Sequence, residues 1–419
     1  MSGEEHIAIV GGGICGVCTA FYLLKAGVPG ANITLIEAQG IASKASGKAG
    51  GFITQAWHGP ATASLGRLSY ELHTELASEL DGERTYGYRS PLSNISLAVR
   101  PAGREMVAKA DEAALALALS AANKTQDESG GGAQLHTHSA VHEIIFRARP
   151  AATGPAPAST WLDERNVREK ELIGDPDGSA QVHPRLFCKT VWAECERRGV
   201  RFVRAEVQGM SSSSTADGAG RRVLSLTKGK EEAVPFTKLV VAAGPWSGQL
   251  LQKMCGFDAG IITNLPGHSV IIEPTQPLPA EALFADIRSV PASDVTLGPE
   301  LFVRPDSTVY AAGENTGEAL PQDLHDDAFD EDAIKRLLKA CALISPALAQ
   351  GRVLSKALCY RPMTDRGNPI ISAVPGEEGI FLLSGHGPWG ISLGPGSGKV
   401  MAELLLGKTL SAEISALTL

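Results

Sequence analysis

The sequence predicts an α/β fold, and two observations carry that prediction. The first forty residues spell a complete strand–helix–strand unit joined by a glycine-rich turn. The whole chain, 419 residues with 43% hydrophobic and 20% charged side chains, has the profile and length of a globular protein with a sizeable core. Taken in order, "HIAIV" (His6 to Val10) is a β-branched run that reads as a buried strand. "GGGICG" follows, with Gly11, Gly13 and Gly16 in the G-x-G-x-x-G spacing. "ICGVCTAFYLLKAG" reads as a helix stopped by Gly27, and "ITLIEA" as a second strand ending at Glu37.

That order of elements has a physical meaning. Gly11 makes the tight turn, Gly13 lets the backbone approach a pyrophosphate, and Gly16 lets helix and strand pack closely. Phosphates would then sit on the positive end of the helix. Glu37 stands where it would accept hydrogen bonds from a ribose diol, and its charge would repel a 2′-phosphate. A dinucleotide site is therefore expected here. Cys15 and Cys18 form a C-x-x-C within the same helix; a small-residue face that lets the helix lie close to the strands is the preferred reading over a redox pair.

Composition excludes several classes. A net charge of −8 argues against a nucleic-acid partner. No apolar run reaches membrane-spanning length, and "MSGEEHIAIV" enters a strand without signal-peptide anatomy. Seven cysteines, an odd number without framework spacing, fit reduced intracellular thiols, so a cytoplasmic setting is expected. "ISALTL" is not a peroxisomal or retention signal of the usual kind.

The next segment, "IASKASGKAGGF" (Ile41 to Phe52), is a loop of small residues able to wrap a diphosphate and a ribityl chain. Here the sequence resembles the D-amino-acid-oxidase-like superfamily of FAD-dependent oxidoreductases, which includes glycine oxidase and sarcosine oxidase. The SGKAGGF form is most similar to a subgroup of oxidoreductases whose substrates are not named. Further patches carry the resemblance: "QVHPRLFCKTVWAECERRGV", with Pro184 suited to a first helical turn; "RFVRAEVQGM", read as a strand; "TKLVVAAGPWSGQLL"; "LPGHSVIIEP" and "ELFVRPDSTVYAAGE", read as two strands; and "LLSGHGPWGISLGPGSGKVMAELLLG".

The resemblance implies a Rossmann-like FAD-binding domain of the glutathione-reductase type, made of residues 1–88, 176–260 and 352–419. A substrate domain built on a mixed or antiparallel sheet, residues 89–175 and 261–351, interleaves with it. It implies FAD contacts from Gly11, Gly13, Ile14, Cys15, Gly16, Glu37 and Ala38, and from Ser43, Ala45, Ser46, Gly47, Gly50, Gly51 and Phe52 of the small-residue loop. The Val207 backbone would meet the adenine, with Ala243, Gly244 and Trp246 close by. The closing motif would add Gly385, Gly387, Pro388, Trp389, Gly390 and Ile391, with a helix starting near Ser397 to aim its N–H groups at the flavin.

The chemistry so implied is hydride transfer from a carbon bearing nitrogen, in an amine or amino acid, to FAD. An imine then hydrolyses, and dioxygen accepts the electrons to give hydrogen peroxide. An alternative is a dehydrogenase with another acceptor, and another is a flavin-bound partner protein without turnover. In "CYRPMTDRGNPII", Arg361 falls on the arginine that anchors a substrate carboxylate in the amino-acid oxidases, a planar fork suited to that anion; an ion-pair role at a strand end is the alternative. Cys359, two residues earlier and so on the same strand face, aligns with a cysteine that carries covalent flavin in the sarcosine-oxidase branch; a buried apolar thiol is its alternative. Tyr360 would point the other way.

Two departures stand out. Where many amino-acid oxidases place an arginine after the final Gly-His, here Gly385-His386, this chain has Pro388 and Trp389, and Trp389 could cap an apolar or aromatic substrate. "STVYAAGEN" lacks the lysine that promotes dioxygen reduction in the sarcosine-oxidase branch. His386, Arg304 and His268 complete the candidates. "RARPAATGPAPAST" reads as irregular and "SSSSTADGAG" as a hairpin tip. "AANKTQDESGGGAQLHTHSAV" reads as an exposed loop, with His136, His138 and His142 as surface histidines rather than metal ligands, and no metal site is expected.

Overall fold

The computed structural model describes residues 5–100, 150–157, 159–213, 221–227, 233–288, 296–325 and 328–419. The histidines at 136, 138 and 142, their loop, and residues 214–220 of the expected hairpin tip lie outside that set. Among the described residues no helix is long and apolar enough to cross a membrane.

A six-stranded sheet runs in the order 370–373, 380–384, 238–241, 7–10, 33–37, 201–204. Its strands are parallel except for Ile370–Ala373 at one edge. Such strands are covered on both faces, which is why Ile7–Val10 and Lys238–Val241 read as unbroken apolar runs. Alternate residues serve the two faces. Ile7 and Ile9 join a core with the helices Ile14–Lys25, Ala63–Glu79, Pro184–Arg197 and Gly390–Leu405. Ala8 and Val10 join another with the helix Ser247–Cys255 and a three-stranded antiparallel sheet, 207–213, 221–226 and 233–236.

A nine-stranded mixed sheet follows the order 352–364, 262–273, 309–315, 300–303, 281–288, 93–99, 167–173, 152–155, with Thr296–Leu297 beside 281–288. Its pairs are antiparallel apart from Ser93–Val99 with Glu281–Arg288. One face packs under the amphipathic helix Glu331–Ile344. The other carries an aromatic cluster that includes Phe52, Phe284, Phe302 and Tyr310. The strand Arg352–Thr364 pairs along its length with Ile262–Glu273 and forms the edge of this sheet, then the chain returns to the parallel sheet at Ile370.

Four local expectations are corrected. "RFVRAEVQGM" is two strands, Arg201–Arg204 in the parallel sheet and Val207–Ser213 in the small one. "ELFVRPDSTVYAAGE" is a hairpin, turning near Ser307, which sits at φ +64°. In the Pro/Ala-rich segment, Ala152–Pro155 is an edge strand on Val167–Ile173; an edge tolerates a proline because half its backbone groups need no ladder partner.

The fourth correction concerns the last helix, which begins at Gly390 rather than near Ser397 and continues through Pro395. A proline there cannot donate to the Ile391 carbonyl and disturbs the ladder. The neighbouring helix Ala63–Glu79 supplies the missing partners. His73 Nε2 donates to Ile391 O at 2.9 Å. Ser69 Oγ donates to Ser392 O at 2.6 Å and accepts from Gly396 N at 3.1 Å. Small residues bring the helices together: a Cβ built on Gly398 would lie 2.5 Å from Cys18 Cβ. Cys18 is thus a packing thiol, fully buried, and all seven cysteines are free.

Ser69→Ala is expected to destabilise the fold by about 1–3 kcal/mol, because two buried backbone groups lose their partner. Urea unfolding measures it, and a loss below about 0.5 kcal/mol, the range of neutral surface changes, would show that the helix needs no such support.

Candidate functional site

A cavity of about 450 Å³ lies between the carboxyl ends of the parallel strands and the aromatic face of the nine-stranded sheet. Val10, Glu37, Ala205, Ala242 and Ser384, at or just past the strand ends, all line it. In open α/β sheets this is where ligands bind.

The glycines of the first turn are dictated by contact. Gly11 has φ +117°, and a Cβ there would fall 2.2 Å from Ala242 O. A Cβ on Gly16 would fall 2.0 Å from Gly11 O, so Gly16 sits behind the cavity as the packing glycine. Gly13 is the N-terminal boundary of the helix and has no side-chain cap of its own. Ile14 N donates to Ser46 Oγ at 3.0 Å, tying the small-residue loop to the helix start. Glu37 is fixed by two backbone donors, Gly12 N at 2.7 Å and Gln39 N at 2.9 Å. A helix start without an acidic residue, a bare glycine edge and an oriented carboxylate suit a pyrophosphate and a ribose. The residues present therefore fit a dinucleotide.

Of the residues expected to contact the cofactor, all line the cavity except Gly16, Gly47 and Gly385. Gly47 and Gly385 serve the turns: a Cβ on Gly47 would lie 1.9 Å from Ala42 O, and Gly385, at φ +85°, would meet Thr364. The 43–52 loop is seated on the aromatic wall, since a Cβ on Gly50 would lie 2.3 Å from the Phe302 ring. Gly244 O accepts from Ser384 Oγ at 2.7 Å, and Trp246 Nε1 donates to Pro321 O at 3.2 Å. Gln39 Nε2 donates to Leu324 O, so the 316–325 segment crosses from the large sheet to the cavity mouth, with Gln322 and Leu324 on its wall.

Cys359, Arg361, His386 and Trp389 also line the cavity. Tyr360 faces away and meets Trp246 edge-on at 6.5 Å. Arg361 Nη1 donates to Asn315 Oδ1 at 2.6 Å. Trp389 packs edge-on against His58, with ring centroids 5.2 Å apart. His386 is buried beside Ser397 Oγ at 2.8 Å, and its Nδ1 lies 3.7 Å from Cys15 Sγ. Burial pushes the imidazole down to about 4, so it is neutral at ordinary pH, and pushes the Cys15 thiol up to about 12, so it is not a thiolate.

Arg304 and His268 lie off the cavity wall. Arg304 is buried, donates to Ala49 O at 3.0 Å and stacks over Tyr310. His268 Nε2 accepts from Asp330 N at 2.9 Å, and its Nδ1 is 3.4 Å from Thr316 Oγ1 at the start of the crossing segment. Residues that the sequence did not single out make up much of the remaining wall. Phe284, Glu300, Phe302 and Tyr310 come from three different strands; the segment "ELFVRPDSTVYAAGE" marked strands without singling out these side chains. Phe302 stacks on Phe52 at 5.7 Å and on Tyr310 at 6.0 Å.

Three histidines, the half-buried His58 and the buried His73 and His386, are each pushed down to about 4, chiefly by desolvation. Their unfolded value is 6.5, so between these limits the unfolded chain takes up protons that the fold refuses. Stability is therefore expected to be full above pH 6.5 and to fall as pH drops toward 4. A melting temperature that stays level from pH 6.5 to about 5 would contradict this.

A family model described as FAD dependent oxidoreductase matches residues 6–404. A protein of Schizosaccharomyces pombe (strain 972) named as an oxidoreductase, C1F5.03c, is 32% identical over 437 residues, covering 100% of this chain and 98% of that protein. The glycine oxidase of Pseudomonas aeruginosa is 23% identical, covering 97% of this chain and 96% of its own. Among solved structures, the glycine oxidase of Geobacillus kaustophilus shares the fold with a TM-score of 0.69 at 20% identity, over 99% of this chain and 97% of that one.

Proposed function

This chain belongs to the FAD-dependent oxidoreductase family, and on that premise we propose that it is an oxidase of an amine or amino acid carrying a carboxylate. FAD, when bound, supplies the hydride acceptor. The substrate carbon that bears nitrogen loses hydride, the imine so formed hydrolyses in water, and dioxygen is the final acceptor, yielding hydrogen peroxide.

The observation that carries this reading is Arg361 on the cavity wall. A guanidinium fork matches a carboxylate with paired hydrogen bonds and keeps its charge at any working pH. With one end of the substrate held, the reacting C–H bond is restricted to few orientations. Phe284, Phe302, Tyr310 and Trp389 offer the rest of the substrate an apolar wall that excludes water. That wall favours an apolar or aromatic side chain over a bare glycine.

The test is a screen of amino acids and their decarboxylated amines against the purified yellow protein. Loss of flavin colour without oxygen reports substrate oxidation, and peroxide release in air reports the acceptor. Turnover only with an artificial acceptor would replace the oxidase with a dehydrogenase, and silence in both assays would overturn the enzyme reading. Arg361→Ala is expected to raise KM for carboxylate substrates roughly 10- to 100-fold, the worth of hydrogen bonds to a charged group; an unchanged KM would refute the anchor. Cys359, on the same wall, is the proposed point of covalent attachment of FAD. Acid precipitation then leaves yellow colour in the pellet, and colour found wholly in the supernatant would refute the link.

A further inference from the structure

Arg361 can receive an anion only if its charge is not already neutralised, and the adjacent strand Ile262–Glu273 and the one beyond it, Val309–Asn315, determine that. Gly267, on the strand Ile262–Glu273, pairs with Asn315 on one side and Cys359 on the other. A Cβ built on Gly267 would lie 2.6 Å from Arg361 Nη1 and 2.7 Å from Cζ and Nη2. The guanidinium thus occupies the space that a side chain at 267 would take. It is held there by the hydrogen bond from Nη1 to Asn315 Oδ1 at 2.6 Å.

The residue next to Asn315 offers a direct contrast. Glu314 is buried and accepts from Arg336 Nε at 3.1 Å. Successive residues on a strand face opposite sides, so this one strand supplies a carboxylate to an arginine of the covering helix and an amide to the arginine of the cavity. The carboxylate cancels its partner's charge. The amide oxygen fixes one N–H of the fork and leaves the full positive charge, with the other donors, for a ligand. Among the described residues no carboxylate forms an ion pair with Arg361, and its side-chain hydrogen bond goes to the neutral amide of Asn315.

We propose that Asn315 is a specificity-determining residue: as a neutral acceptor it orients Arg361 while keeping this part of the cavity cationic, so that the site selects substrates bearing a carboxylate over the same amines without one. The proposal rests on the reading of Arg361 as the carboxylate anchor. An aspartate at 315 would pair with Arg361 and compete with any incoming anion. An alanine would remove the orientation without adding charge.

The experiment uses holoenzyme and a pair of probes matched in shape and suited to the aromatic wall, benzoate and benzamide, titrated against the visible flavin spectrum. Wild type binds benzoate the more tightly. Asn315→Asp raises the benzoate Kd at least about 10-fold, leaves benzamide within about twofold and abolishes the preference, the expected effect of an internal ion pair. Asn315→Ala, which keeps the charge, weakens benzoate by about threefold and retains the preference. A benzoate preference that survives Asn315→Asp, or an Asn315→Ala variant identical to wild type, overturns the role of Asn315 and leaves the Arg361 anchor standing. A wild-type protein with no preference overturns the anchor and the proposal together. If Asn315→Asp purifies without flavin, the Asn315→Ala titration decides alone: weakened benzoate supports the role, and an unchanged Kd removes it.

Discussion

The cavity depends on a helix that its own sequence interrupts. Pro395 deprives the helix Gly390–Leu405 of one backbone bond, and Ser69 and His73, more than three hundred residues earlier in the chain, supply partners to Ile391, Ser392 and Gly396. This substitution keeps the first turn of the helix against the cavity, where Gly390 and Ile391 form part of the wall. It also presses the helix onto Ile14–Lys25, with Gly394 against Ile14 and Gly398 against Cys18. The two helix starts that flank the cavity are therefore positioned by each other. Their partly positive ends both point to a place where anionic groups are stabilised.

A second constraint joins the two sheets. Gly50 brings the small-residue loop into contact with Phe302, which is stacked on Tyr310 and Phe52. The small-residue loop on one side of the cavity is thus seated on the aromatic wall of the other. A change of volume at Phe302 would be felt by the loop through direct packing, because interiors at native density transmit displacement.

Much of the first half of the site was legible because it is local. Gly11, Gly13, Gly16 and Glu37 owe their identities to turn geometry and close approach within one strand–helix–strand unit, and such requirements leave a fixed spacing in the chain. Arg361 and Cys359 were legible through the resemblance of "CYRPMTDRGNPII" to a family segment, and a period of two on one strand puts both on the same face. Phe284, Glu300, Phe302 and Tyr310 were not singled out, because each reaches the cavity through strand register, and register between distant segments is not written in any short window. The helix start at Gly390 was misread because Gly-Pro-Gly signals a break unless a partner elsewhere repairs it. Arg304 and His268 have chemistry that suits a site, yet each is engaged in holding chain segments: Arg304 on Ala49 and Tyr310, His268 on Thr316 and Asp330. Residue type alone does not separate the two uses.

The strand order of the parallel sheet also dictates when the site can exist during synthesis. Ile7–Val10 emerges first, but its neighbour Lys238–Val241 is flanked by Ile380–Ser384, and the helix that covers Ile14–Lys25 runs to Leu405. Until residue 405 has left the ribosome, the glycine turn at 11–16 has one wall missing and Ile14–Lys25 lacks the cover of its last helix neighbour. Closing contacts across such separations is slow compared with local folding. The nascent chain therefore carries an unfinished nucleotide turn through most of translation, and capture of the cofactor belongs to the last stage of folding rather than the first.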